Sequence, residues 1–126
     1  MLADNPGGMI LIAEQETPAP SKALGFAAFH RVLDEAELRN IAVDPAHQRR
    51  GLGRALLEEA KRRLLAEGVK QIYLEVRASN HPALNLYLSL GFGALTRRRH
   101  YYQNPDEDAL VLGLELVAAA ATRGTG

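Results

Sequence analysis

The chain has 126 residues, 47% of them apolar and 24% charged, with fifteen Lys plus Arg set against fifteen Asp plus Glu. That length suits one domain, and the composition lies close to the soluble globular average, which excludes disordered and fibrous classes. A zero formal net charge leaves no global field to steer the chain onto nucleic acid or an anionic membrane, and the lack of cysteine excludes disulfides, Cys-ligated metals and a thiol nucleophile.

The opening MLADNPGGMI has no basic region ahead of an apolar core, and no stretch approaches the roughly 20 apolar residues that span a bilayer. A cytoplasmic location without membrane contact is expected. Met9 to Glu14 (MILIAE) reads as a short strand, and TPAPS as the turn after it. Ala23 to Val32 is a second strand. After the bend LDEAE, Glu37 to Val43 (ELRNIAV) is a third, with apolar residues at 41 and 43. Three antiparallel strands joined by turns are the simplest arrangement.

From Leu52 the apolar residues fall at 52, 56, 57, 60, 64 and 65, a helical period, and Gly68 supplies the stop. Val69 to Val76 alternates instead, with Ile72, Leu74 and Val76 on one face and Tyr73, Glu75 and Arg77 on the other. Asn80 to Leu90 (NHPALNLYLSL) is a second helix: Asn80 suits its cap, Pro82 its first turn, and Ala83, Leu86, Tyr87 and Leu90 share a face. Gly91 ends it. Phe92 to His100 and Ala109 to Leu116 form a closing pair of strands around YYQNPDED, a loop rich in turn formers. Residues 1–117 therefore read as one domain and 118–126 as a disordered tail. The order of strands, helix, strand, helix and strands predicts an α/β protein with a mixed sheet.

The stretch NIAVDPAHQRRGLGRA holds the strongest local signal. Gly51 and Gly53 sit where strand gives way to helix, so backbone N–H groups can approach a ligand closely. The first four N–H groups of a helix lack internal partners, and with the positive end of the helix dipole they make an anion site. Arg49, Arg50 and Arg54 add full positive charge. On spacing alone, two turn glycines beside a solvated arginine face explain the pattern equally well. Two known phosphate loops fail here. No GxxxxGK string followed by Ser or Thr exists, and a GxGxxG fingerprint breaks at Leu56.

QRRGLG fits the Gln/Arg-x-x-Gly-x-Gly/Ala signature of the GNAT N-acetyltransferases. The runs LRNIAVDPAHQRRGLGRALL, YLEVRASN, ALNLYLSLGF and RRRHYYQNPDEDALVL resemble the ribosomal-protein-alanine N-acetyltransferase (RimI-type) branch of that family, over roughly Gly25 to Leu116. The resemblance implies the GNAT fold, a mixed and mostly antiparallel sheet with flanking helices, here shortened at its start by a strand and two helices. It implies acetyl-CoA as cosubstrate. Its pantetheine arm would lie along Ile41, Ala42 and Val43, its diphosphate in the loop Arg49, Arg50, Gly51, Leu52, Gly53 and Arg54, and Asn80 would touch it near the second helix. Glu75 matches the family's general base, Tyr87 its general acid, and Tyr101 and Tyr102 its acceptor-lining aromatics.

The implied reaction is transfer of an acetyl group to a primary amine, the N-terminal α-amine of a protein, with a ribosomal protein as partner. A small-molecule amine or a lysine is the alternative acceptor, and a CoA-binding module without turnover the alternative class. RNA binding through Arg97 to Arg99 lacks a second basic patch with interleaved aromatics, so no nucleic-acid partner is expected. His30, His47, His81 and His100 lack metal-ligand spacing, and metal is not expected. A shortened start would bare apolar sheet at about 25 cal/mol per Å², so association into a homo-oligomer is expected.

Overall fold

The computed structural model describes residues 7–16, 18–48 and 51–117. The tail expected at 118–126 lies outside them. Six strands and two helices follow in chain order: β1 (Gly8–Gln15), β2 (Lys22–Val32), β3 (Glu35–Val43), α1 (Leu52–Ala66), β4 (Gln71–Arg77), α2 (His81–Ser89), β5 (Gly93–Tyr102) and β6 (Glu107–Glu115). One sheet contains all six, in the spatial order β1-β2-β3-β4-β6-β5. Every neighbouring pair is antiparallel except β3 with β4, as the crossover through α1 requires. The predicted α/β class and mixed sheet are what the structure shows.

Two corrections concern the ends of elements. Tyr101 and Tyr102 belong to β5 rather than to the loop after it, because the β5–β6 ladder runs on to Tyr102↔Glu107. The bend after β3 contains a short 3-10 turn, Pro45–His47, for which the sequence analysis predicts no element. Asp44 starts this turn by accepting a hydrogen bond from the Ala46 N–H at 2.9 Å, and that bond, more than nearby Lys22, holds its carboxyl below the usual range.

The core lies between the sheet and the two helices. Leu56, Leu57, Ala60 and Leu64 of α1 are buried in the same cluster as Leu11, Ala27 and Phe29 of β1 and β2, and Ile72, Leu74 and Val76 of β4 join it. Leu64, Ile72, Leu74 and Leu112 are almost completely enclosed. Truncating one of these to alanine would cost about 2–5 kcal/mol. Tyr87, Leu90 and Phe92 bring α2 into the cluster, with the Tyr87 and Phe92 rings edge to face at 5.8 Å.

The β2–β3 ladder carries a bulge that positions the site. Ala28 pairs with Asn40 and Phe29 with Leu38, so Arg39 is an extra residue in β3. One extra residue reverses the alternation of faces. Ala36 and Leu38 are buried before the bulge, whereas Ile41 and Val43 turn partly inward after it. The parity of the apolar residues changes from even to odd at this point, which is the sequence trace of the bulge.

Candidate active site

Strands β3 and β4 pair only at Glu35↔Gln71, Ala36↔Ile72 and Glu37↔Tyr73. Beyond Glu37 they diverge, while β2 continues to pair β3 as far as Gly25↔Val43. The β4-facing peptide edge of β3 from Leu38 onward thus has no strand partner, although buried backbone groups ordinarily find one. An opening in a sheet left this way is a place for a ligand's polar groups.

A cleft of about 690 Å³ begins at this opening, bounded by Ile41, Ala42 and Val43 on β3 and by Gly51, Leu52, Gly53 and Arg54 at the start of α1. Asn80, Ala83, Leu86 and Tyr87 form its α2 side. Among the described residues no side chain caps the start of α1: the position is held by Gly51 in the left-handed region at φ 80, ψ 10. Glycine occupies that region without the penalty a side chain pays. Among the described residues a Cβ at Gly53 would meet only Leu86 Cδ2, at an ordinary 3.6 Å, so their packing does not demand glycine there. The residue instead keeps the cleft side clear. Unpartnered helix N–H groups facing such a space suit an anion, which favours the anion site over a pair of mere turn glycines.

Arg54, which borders the cleft, donates to the Ser89 hydroxyl of α2. Gln48 donates from Nε2 to the Val43 carbonyl at 3.2 Å and so closes the bend onto the end of β3. Arg49 and Arg50 lie outside the described residues. His47 and Gln48 border the cleft although the sequence reading assigned them no role.

A second cavity of about 260 Å³ fills the gap between the diverging strands, with Leu38 and Ile41 on one side and Leu74, Glu75 and Val76 on the other. Ile41, Asn80, Ala83 and Tyr87 line both spaces, which makes them the wall where the two meet. Tyr102 reaches this second cavity. Tyr101 does not: 41% exposed, it packs edge to face on Tyr102 at 5.2 Å and lies under the Arg98 guanidinium at 4.0 Å.

Tyr87 is 6% exposed, yet its hydroxyl has no hydrogen-bond partner among the described residues and is not sealed from solvent. Burial, followed by nearby Tyr102, pushes its phenol above the ordinary value of 10.0. Tyr102 is pushed up too, by burial first and then by Glu75. Asn80 does what the sequence predicted for a cap, its Oδ1 accepting from the Ala83 N–H at 3.3 Å, and it also borders both cavities.

Glu75 is the residue whose surroundings the sequence did not reveal. Its side chain is 22% exposed, and Oε2 accepts a 2.6 Å hydrogen bond from Arg98 Nη1. Arg98 is 23 positions away in the chain and belongs to β5, on the far side of β6. No local pattern could have paired them. Among the described residues no group of three or more His, Cys, Asp or Glu is placed to hold a metal ion, and no helix is long and apolar enough to cross a membrane.

The fold that carries this open parallel pair is shared with a known family. Residues 1–92 match the acetyltransferase (GNAT) family, and the chain belongs to it. It is 54% identical over 97 residues to the [ribosomal protein bS18]-alanine N-acetyltransferase of Escherichia coli (strain K12), a match covering 75% of this chain and 66% of that protein. The crystal structure of the ribosomal-protein-S18-alanine N-acetyltransferase from Escherichia coli superposes with a TM-score of 0.81 at 46% identity, covering 90% of this chain and 72% of that one. A Bacillus anthracis str. Ames structure in complex with acetyl coenzyme A superposes with a TM-score of 0.78 at 25% identity, covering 90% and 65%. The chain thus spans about two-thirds of the length of the Escherichia coli relative.

Proposed function

We propose that this protein transfers the acetyl group of acetyl-CoA to a primary amine, the N-terminal α-amine of a protein that starts with alanine, with a ribosomal protein as the acceptor class. The observation that carries this reading is the shared wall: Tyr87 stands between a cleft whose mouth suits a diphosphate and a cavity that holds Glu75. Two reactants entering from opposite sides would meet there. Kinship with the Escherichia coli enzyme supports the choice of acceptor.

The residues present fit the cosubstrate. Gly51 to Arg54 would hold the diphosphate through backbone N–H groups, the free peptide edge of Ile41 to Val43 would hold the pantetheine amides, and Asn80 would border both. When bound, acetyl-CoA supplies an acetyl group activated as a thioester. Everything else is asked of the chain. An α-amine with pKa near 8 costs about 1.3 kcal/mol to neutralise at pH 7, against about 4.6 kcal/mol for a lysine near 10.4. Glu75 is the general base, and with its carboxylate partly exposed it takes the amine proton through a water. The neutral nitrogen then attacks the thioester carbonyl, whose developing negative charge meets N–H donors on the open edge of β3. As the carbon–sulfur bond breaks, Tyr87 donates its proton to the departing thiolate. Its raised pKa keeps that proton in place at neutral pH.

The test is mass spectrometry of the protein incubated with acetyl-CoA and a panel of amines. An Ala-started peptide gaining one acetyl group faster than a polyamine or a lysine peptide is the expected result. Thermal stabilisation by acetyl-CoA with no acetylation of any amine would replace this reading with a binding module.

A further inference from the structure

Glu75 has two carboxylate oxygens, and the structure treats them differently. Arg98 Nη1 takes Oε2 at 2.6 Å, while no described residue bonds Oε1. The grip is thus one-sided, unlike the bidentate fork that arginine and carboxylate often form. Arg98 is itself held, since its guanidinium carbon lies over the Tyr101 ring, 4.0 Å from the centroid. A carboxylate on a bare strand face would sample several rotamers, and its terminal torsion is broad. Tied at one oxygen to a stacked cation, it presents the other in a single direction.

The surroundings argue against a purely structural purpose for this pair. Its members are 51% and 22% exposed, and ion pairs of that kind add little to stability. Each of the other charged side chains of the second cavity already has its own partner, Arg77 with Glu107 and Arg39 with Glu37. Arg77 also lies over a tyrosine, Tyr102, at 4.1 Å. Two cation–ring stacks thus flank Glu75, and one of the two cations is bonded to it.

We infer that Arg98 is a positioning residue for Glu75: bonded to Oε2 and stacked on Tyr101, it aims Oε1 into the cavity between β3 and β4, where the acceptor amine loses its proton. This rests on Glu75 being the general base. It assigns Tyr101 a part as well, as the platform under Arg98 rather than a wall of the acceptor cavity. Lysine keeps the charge of arginine but has neither its flat face nor its fixed donor geometry, so Arg98→Lys restores only part of what Arg98→Gln loses.

The experiment is a cycle of Arg98→Gln, Glu75→Gln and the double variant, with Arg98→Lys alongside and Arg99→Gln as a control for the loss of one positive charge on the same strand. Rates are measured with acetyl-CoA and an Ala-started peptide at enzyme concentrations high enough to read residual turnover, and melting curves confirm that each variant folds. Arg98→Gln lowers kcat about tenfold with the KM for acetyl-CoA within about twofold, Arg98→Lys falls between it and the parent, and Arg99→Gln leaves kcat unchanged. In the Glu75→Gln background the substitution of Arg98 has no further effect. If Glu75→Gln is inactive while Arg98→Gln keeps the parent kcat, the positioning role is wrong and Glu75 remains the base. If Glu75→Gln itself turns over at the parent rate, Glu75 is not the base and both ideas fall. An equal loss from Arg98→Gln with and without Glu75 would also overturn the role, since Arg98 would then act on something else.

Discussion

The two helices both start at the cleft, and they start in opposite ways. α2 is closed at its N-terminus: Asn80 bonds the Ala83 N–H and Pro82 occupies the first turn. α1 is left open, with a glycine at φ 80 and no capping side chain. A cap contributes about 1 kcal/mol, so an uncapped helix of fifteen residues beside a capped one of nine forgoes stability at the longer helix. Such an omission is tolerated where a ligand satisfies the free groups instead. On the proposed function α1 would bind and α2 would carry the chemistry, since Tyr87 projects from its second turn into the wall between the two cavities.

If that division holds, substitutions on α2 change turnover and those at the start of α1 change affinity. Tyr87→Phe removes the proton donor and leaves the ring in the core, so kcat drops about a hundredfold or more. The KM for acetyl-CoA stays within about twofold, and the melting temperature holds. Steady-state kinetics that show the loss in KM instead would merge the two roles. The parent's pH profile checks the same residue. A general acid works while protonated and fails as pH rises through its pKa, and burial places Tyr87 above the ordinary value of 10.0. Tyr87 therefore causes no alkaline loss of kcat below pH about 10.

At the other helix, Gly51→Asp sets a carboxylate at the open end of α1. Among the described residues the added Cβ meets no atom within 4 Å beyond its chain neighbours, and Asp tolerates the left-handed region better than most residues. Competition for the helix's positive end and repulsion of the diphosphate weaken acetyl-CoA binding about tenfold by calorimetry, with kcat at saturation little changed. Unchanged affinity would remove α1 from the binding site.

Asn80 caps α2 and borders both cavities, so its variants can separate capping from binding. Asn80→Ala uncaps α2 and costs about 1 kcal/mol, a fall of about 3–5 °C in melting temperature. Asn80→Ser restores the cap. If Ser recovers stability but not acetyl-CoA affinity, Asn80 touches the cosubstrate as well as capping the helix. Recovery of both would leave it a cap only.

The smallest effect lies far from the cleft, on the outer face of α1. Hydrogen bonds from Arg62 and then Arg63 lower the Glu59 pKa from 4.5 to about 2. A carboxylate that is more acidic when folded stabilises above its unfolded pKa and loses that contribution as pH falls through its folded one. Glu59→Gln therefore flattens the loss of stability between pH 4.5 and about 2, measured by acid titration of the melting temperature, and leaves acetyl-CoA affinity at pH 7 unaltered.

Much of this protein is local and could be read without coordinates. Period and punctuation located all eight elements to within a few residues, because burial on one face imposes its own spacing on a helix or a strand. The QRRGLG bend announced an open helix start, since glycine spacing and helix N–H groups are properties of neighbouring residues. The other half of the site depends on contacts between distant ones. The bulge at Arg39 turns Ile41 and Val43 inward, and although the change of parity was visible, it acquired meaning only beside its partners Ala28 and Phe29 in β2. The end of β5 is not legible locally, because Tyr101 and Tyr102 sit among turn formers and only pairing with Glu107 extends the strand past them. The hold of Arg98 on Glu75 left no trace in the sequence at all. It exists because the fold inserts β6 between β4 and β5, and that order is decided by which apolar faces bury one another.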